Sequence, residues 1–281
     1  MVRDIVLERV EGSALSGAPN AADNLPFRRT AIMLAAWQRN VDTSVDWADP
    51  SWTAALLRLD AAQLACVRHA LREASEAART ACSRALVQAA GAAAPGFDQL
   101  AQPALARGAG VATSDAVLLD TLPAARGMQV LRMRALLFRR AEARRLIDKR
   151  TRQQLSEWVG VSVDRLTQDA HAAEPPDTAR LIARAGMPPL AALDAARLAI
   201  EGCALLLRDL ARGDIAQAAQ APPRLQAAQR MPFALLRLAL PRVLPPVPWL
   251  ANIPDELDAS GSARLFARLA DLLPEFAWLS G

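Results

Sequence analysis

The segment from residue 117 to residue 159 constrains this chain more than any other. Its apolar residues recur at steps of three and four, which places them along one side of a helix. Residues 126 to 152 add nine Arg and one Lys against two acids. The pattern predicts one long helix, or two joined between Pro123 and Gly127. The residues of this stripe that we expect in the core are Leu137, Ile147, Leu155 and Trp158.

The composition of the whole chain favours helices. Hydrophobic residues make up 52%, many of them alanine, and aromatic residues only 4%. Ala, Leu and Arg have the strongest intrinsic helix preferences, and no run alternates apolar and polar residues as a strand would. We predict an all-α fold: an irregular multi-helix single globular domain over residues 27–281, after an extended N-terminal arm at residues 1–26.

Helix start and stop residues divide the rest of the chain. Further helices are predicted at residues 28–39, 51–90, from 163, at 188–212, 233–239 and 260–273. Asp49 and Pro50 fit the cap and first residue of the second of these. Gly160 and Gly213 fit helix ends.

The C-terminal third contains a Pro-rich segment at residues 222–254. Proline fixes φ and removes a backbone donor, so this segment predicts extended chain wrapped on the helical body. Ordered non-helical chain needs large side chains to hold it. We therefore expect Trp249, Phe276 and Trp278 to be buried anchors.

The chain contains no recognised catalytic or metal-binding motif. Its three cysteines are far apart and odd in number, without a CxxC spacing. The two histidines, His69 and His171, have no Ser or Cys partner in a known motif. Residues 42–46 resemble the start of a calcium loop, but Trp47 stands where that loop needs glycine. We expect no enzyme, no catalytic residue, no cofactor and no metal.

The charge pattern leaves three readings of the basic block open. The net charge is only +4, so the positive excess is local. A solvated helical face, with Arg stems on apolar surface and partners among distant acids, is the plainest reading. Nucleic-acid binding is the second, although no helix-turn-helix or interleaved aromatic residues accompany the block. Docking of an acidic protein is the third.

Targeting features predict a cytoplasmic location. The N-terminal residues MVRDIVLERVEG are charged and lack the apolar core of a signal peptide. Apolar runs are broken by charge well short of the roughly 20 residues that a membrane span needs. We expect no membrane insertion.

Residues 118–160 resemble the middle of the SctK family of type III secretion accessory proteins, which includes the YscK, PscK and plant-pathogen Hrp versions. That family carries a Leu-rich helix with an arginine pair and then a hydrophobic-hydrophobic-Asp step, as Arg144 to Asp148 do here. An amphipathic helix ending near a glycine follows, as at Leu155 to Gly160. The ending PEFAWLSG is also similar. The resemblance is closest over 116–160 and weaker over 190–281.

The resemblance implies a non-enzymatic adaptor of the injectisome's cytosolic sorting platform, at the cytosolic face of the inner membrane. Its partners would be the cytoplasmic domain of an SctD-like inner-membrane ring protein and an SctQ-like pod protein. The docking residues predicted on this hypothesis are Arg139, Arg140, Arg144 and Arg145. The alternative is a helical DNA-binding or regulatory protein that uses the basic helix at residues 126–152.

Overall fold

The computed structural model describes residues 25–101, 113–168, 186–218, 232–254 and 257–279. Across these ranges the chain forms helices joined by turns, without a β-strand. The predicted all-α fold is confirmed. The arm predicted at residues 1–26 lies outside the described ranges, except that the first helix already begins at Leu25.

The α-helices are, in chain order, α1 Leu25–Asp42, α2 Ser44–Trp47, α3 Pro50–Leu57, α4 Ala61–Glu73, α5 Glu76–Ala89, α6 Phe97–Ala101, α7 Thr113–Val117, α8 Ala124–Phe138, α9 Arg140–Arg145, α10 Lys149–Val159, α11 Val163–Thr167, α12 Ala195–Ala218, α13 Gly261–Ala267 and α14 Leu269–Leu272. Short 3₁₀-helices occupy Leu118–Thr121, Leu190–Ala192, Leu236–Ala239, Pro248–Asn252 and Pro274–Leu279. Helices α1, α11, α13 and α14 lie where the sequence predicted helices.

The continuous helix predicted at residues 51–90 is wrong, because α3, α4 and α5 divide this stretch. Arg58 ends α3 in the left-handed region, with φ 54°. Asp60 then begins α4: its carboxylate accepts from the backbone N–H of Gln63, whose side chain accepts from the backbone N–H of Asp60. Ser75 caps α5 with its hydroxyl. Each cap satisfies N–H groups that a helix start leaves unpaired, and so fixes the break.

The start of α3 is as predicted. Asp49 is its cap, and the carboxylate accepts from the backbone N–H of Ser51 at 2.9 Å. Pro50 is the first helical residue, where its missing N–H has no consequence.

The basic segment is also divided, into α8, α9 and α10. The predicted junction at Pro123 is the start of α8, but two further breaks make the prediction of one or two helices wrong. Arg139 leaves α-helical geometry between α8 and α9, with φ −91° and ψ 19°. Asp148 starts α10 by accepting from backbone N–H groups, an alternative to continued helix. Gly160 ends α10 in the left-handed region, as predicted.

The helix predicted at residues 188–212 is wrong at both ends. A 3₁₀-helix comes first, and Asp194 then caps α12 by accepting from the backbone N–H of Arg197 at 2.6 Å. At the other end α12 continues through Gly213 to Ala218. A glycine ends a helix where it takes a positive φ, whereas Gly213 lies within the helical backbone of α12.

Helices α8 and α12 form the most extensive contact between described elements and the centre of the core. Gly202 of α12 makes this approach possible, because a Cβ there would overlap the carbonyl oxygen of Leu131. The buried side chains around the crossing include Val130, Leu131, Met133, Leu136, Leu198, Cys203 and Leu206.

Three of the four predicted core residues are confirmed. Leu155 is buried, and Leu137 and Trp158 are half-buried against the same core. The prediction for Ile147 is wrong, since its side chain is 96% exposed. It lies in the connection between α9 and α10, where the helical periodicity that predicted its burial is interrupted.

The Pro-rich segment follows the prediction within its described part. Residues 241–247 have no regular helix, and turns with a 3₁₀-helix replace the short helix expected at 233–239. Trp249 is buried, with its ring 5.5 Å from that of Phe138. Phe276 is half-buried, and the side chain of Trp278 lies outside the described part.

Candidate partner-binding surface

Three arginines of the basic segment are buried, and Arg134 and Arg139 are the most enclosed of them. Arg134 of α8 lies 2.8 Å from a carboxylate oxygen of Asp209 on α12 and 2.8 Å from one of Asp258. Its Nε also donates to the hydroxyl of Ser262 at 2.8 Å. The side chain is 1% exposed, so these partners replace water around the guanidinium.

Arg139 forms the second buried site, one turn further along. Its Nη2 and Nε donate to the carboxylate of Glu201 on α12 at 2.8 and 3.0 Å. Its Nη1 donates to the carbonyl of Pro188 at 2.7 Å, and the guanidinium lies 5.4 Å from the ring of Trp249. Burial raises the pKa of the Glu201 carboxyl, while the charge and hydrogen bonds of Arg139 act in the opposite direction. Arg139 thereby joins α8, α12 and the C-terminal segment.

Other arginines of the segment also bind within the molecule. Arg132 donates to the carbonyls of Ala195 and Trp158 at 3.0 and 3.1 Å. Arg126 forms an ion pair with Glu275 at 3.0 Å. For α8, the geometry therefore supports the first interpretation, in which the arginines bind acceptors elsewhere in the same molecule.

The four predicted docking residues separate into an inner and an outer pair. Arg139 is fully buried and Arg140 is 7% exposed. Neither is accessible to a partner in this structure, because the first half of α9 packs into the body. Arg144 and Arg145, one turn later, are exposed. Their role in docking stays a prediction.

The exposed pair belongs to a surface that we call the basic corner, made of Arg144, Arg145, Ile147, Lys149 and Arg150. All five side chains are exposed. Arg145 and Lys149 form no ion pair with any residue in the described ranges, whereas Arg144 donates to the carbonyl of Thr167. Within the described ranges, the corner thus presents at least two cations, Arg145 and Lys149, that form no ion pair.

The connection that carries the corner is anchored on both sides of Ile147. Leu146 packs against the core. Asp148 accepts from the backbone N–H groups of Thr151 and Arg150 at 2.9 and 3.2 Å. Hydrogen bonds from the Thr151 side chain, and then from these N–H groups, hold the pKa of the Asp148 carboxyl below its usual value. The cap is therefore ionised at neutral pH and fixes the start of α10.

A groove of about 440 Å³ runs beside the corner, between α10 and α11. Ile147 and Lys149 form one rim, and Gln153 lies along α10. Arg152 and Asp164 form an ion pair across it. The groove combines apolar, amide and charged groups.

The described residues show little else that suggests a chemical site. No group of three or more His, Cys, Asp or Glu side chains in these ranges could hold a metal ion. His69 is exposed on α4, and His171 lies outside the described ranges. None of the described helices is both long enough and apolar enough to span a bilayer.

Sequence reasoning missed the buried pairs, although the pattern contains a trace of them. Arg134 stands four residues from both Val130 and Phe138, in line with buried apolar positions. Glu201 and Asp209 likewise interrupt the apolar side of α12. A charged residue within an apolar stripe is the expected position of a buried ion pair.

The fold and its surface define an all-α protein whose most distinctive exposed feature is a basic corner beside a groove. The chain belongs to the bacterial type III secretion protein family (HrpB4), which matches residues 25–275. This confirms the resemblance drawn from residues 116–160 and extends it back to α1. No curated protein and no solved structure matches the chain. Family membership assigns the protein a role in type III secretion.

Proposed function

We propose that the protein is a non-enzymatic adaptor of the injectisome's cytosolic sorting platform. It would bridge the cytoplasmic domain of the inner-membrane ring protein and the pod protein, at the cytosolic face of the inner membrane. The observation that carries the proposal is the basic corner of a secretion-family protein. The corner is exposed and anchored, and Arg145 and Lys149 form no ion pair with the described residues.

The fold supports a bridging role because its body is braced internally. Arg134 and Arg139 link α8 to α12 through the carboxylates of Asp209 and Glu201. Trp249 of the C-terminal segment donates its indole N–H to the carboxylate of Glu201. A body braced in this way holds two docking surfaces at a fixed separation. Exposed arginines at one surface favour association with an acidic partner and set its orientation.

Charge reversal at the corner tests the proposal. We expect Arg144→Glu with Arg145→Glu to abolish secretion while the circular dichroism spectrum stays unchanged. The matched control is Arg68→Glu with Arg72→Glu on α4, which changes the net charge equally at another exposed site. A double variant that secretes normally would remove the corner from the interface.

Co-purification from secreting bacteria tests the partners. Recovery of the ring and pod proteins with the wild-type chain, and loss of one of them with the double variant, is the expected result. Retention of DNA that weakens with salt, without either protein, would instead support the nucleic-acid alternative.

A further inference from the structure

The geometry points to the groove between α10 and α11 as the binding site for a short acidic segment of a protein partner, with Ile147 as its apolar anchor. This inference rests on the proposed function, since it assigns one of the two docking surfaces. It adds the chemistry of the segment and the residue on which affinity depends.

The exposure of Ile147 is the first observation. At 96% exposed, it is the most exposed large hydrophobic side chain in the described residues. Burying such a side chain against a partner removes apolar surface from water and therefore favours binding. A single anchor of this kind, surrounded by polar groups, is the common arrangement at the centre of a protein interface.

The second observation is that Ile147 is held in place before any partner binds. Only three residues connect α9 to α10. The first packs on the core, and the third is the cap of α10. A preorganised anchor loses little conformational freedom on binding, so more of its burial appears as affinity.

The third observation is the chemistry of the groove wall. Ile147 supplies the exposed apolar surface, while Val163 in the same groove is buried in the core. The Gln153 amide supplies a donor and an acceptor. Lys149 lies on the same rim, with Arg144, Arg145 and Arg150 close to it in the chain. A segment with carboxylates on either side of an aliphatic or aromatic residue matches this wall in both charge and apolarity.

The shape of the site favours a protein segment over a lipid surface or a nucleic acid. A flat bilayer meets the rim but cannot enter a groove, and one aliphatic side chain gives weak membrane attachment. The corner also has no aromatic side chain on which a base could stack.

The test compares Ile147→Ser with Val243→Ser in the full chain. Val243 is 83% exposed and does not line the groove, so it controls for loss of an exposed β-branched side chain. Binding to the purified cytoplasmic domain of the ring protein, and to the purified pod protein, is measured by calorimetry. We expect Ile147→Ser to weaken binding to one of them at least tenfold and to leave the other unchanged. Val243→Ser should change neither by more than about twofold, as exposed sites outside an interface usually behave.

The possible results distinguish failure of the groove assignment from failure of the adaptor proposal. If the wild-type chain binds both proteins and Ile147→Ser binds them equally well, the groove assignment fails and the adaptor proposal stands. If the wild-type chain binds neither protein, both fail. Sedimentation with phosphatidylglycerol vesicles, or retention of duplex DNA, that depends on Ile147 would also overturn the groove assignment.

Discussion

Helix α8 and the basic corner are neighbours in the chain and contain three arginines each, yet their arginines do opposite things. On α8, Arg134 is enclosed by carboxylates, and Arg139 at its end faces Glu201. At the corner, Arg145 and Lys149 are exposed and form no described ion pair. The environment across the helix, and not the residue type, decides whether a cation braces the fold or remains available to a partner.

The energetic consequence of this difference is large. A buried ion pair gains strong attraction but loses the hydration of both charges, so its net contribution is small while both partners remain. Removing one partner leaves an uncompensated charge in the core. Removing an exposed arginine leaves only water in its place.

The sharpest test of the comparison is truncation of one arginine from each region. We expect Arg139→Ala to lower the free energy of unfolding by about 3–5 kcal/mol, because Glu201 stays buried without its cation. Arg145→Ala should change it by less than about 0.5 kcal/mol. Urea denaturation measures both. Replacing Arg139 by Met together with Glu201 by Leu should recover part of the loss, because the Pro188 carbonyl and the Trp249 indole N–H still lose their partners. Equal effects of the two single variants would contradict the comparison.

Asp120 represents a third environment, a buried carboxyl that forms no ion pair within the described residues. Asp120 accepts from the backbone N–H groups of Leu236 and Leu235 at 2.7 and 3.2 Å, and no described cation forms an ion pair with it. Burial raises the pKa of Asp120 to about 7, although these N–H groups lower it. The folded state therefore holds this proton more tightly than the unfolded chain does.

Because the pKa of Asp120 is raised in the folded state, the free energy of unfolding should fall as the pH rises. The stabilisation from protonated Asp120 is fully present below the unfolded pKa of about 4. It is lost as the pH rises toward about 7, the folded pKa. The loss is at most about 4 kcal/mol, from roughly 1.4 kcal/mol per pKa unit. Unfolding measured from pH 4 to pH 7.5 should show this decline for the wild-type chain but not for Asp120→Asn, and identical profiles would refute it.

The smallest predicted effect on stability comes from adding a methyl group where α8 crosses α12. Gly202→Ala should lower stability by about 1–3 kcal/mol, because the new Cβ meets the rigid backbone of Leu131. Gly127→Ala is the matched control on α8. Its Cβ would lie 2.6 Å from Cδ1 of Leu236, a side chain that can rotate away. Thermal unfolding that shows Gly127→Ala to be the more damaging change would exclude a special role for Gly202.

Several predictions from sequence depended on local chemistry and were confirmed for that reason. Asp49 caps α3, and Gly160 ends α10, because each acts through its own backbone and its next few neighbours. Helical content followed from the composition in the same way. The breaks at Asp60 and Ser75 could also have been found from local chemistry, since Asp60 and Gln63 have capping-box spacing.

The errors arose where distant parts of the chain determine the outcome. Ile147 fits the apolar periodicity of its segment, but a break in the helix turns it to solvent. Arg139 looks like a surface residue until Glu201, more than sixty residues later, is brought beside it. Periodicity describes one helix and contains no information about what lies opposite.

Local sequence accounts for the helical fold, for the start of α3 after Asp49 and the end of α10 at Gly160, and for the secretion family that the middle of the chain resembles. These depend on backbone preferences, on capping within a few residues and on patterns along the chain. Packing between distant helices selects which arginines are internal and which face outward. That choice depends on carboxylates supplied by α12 and the C-terminal segment, and burial of a charge is stable only when its partner is already in place.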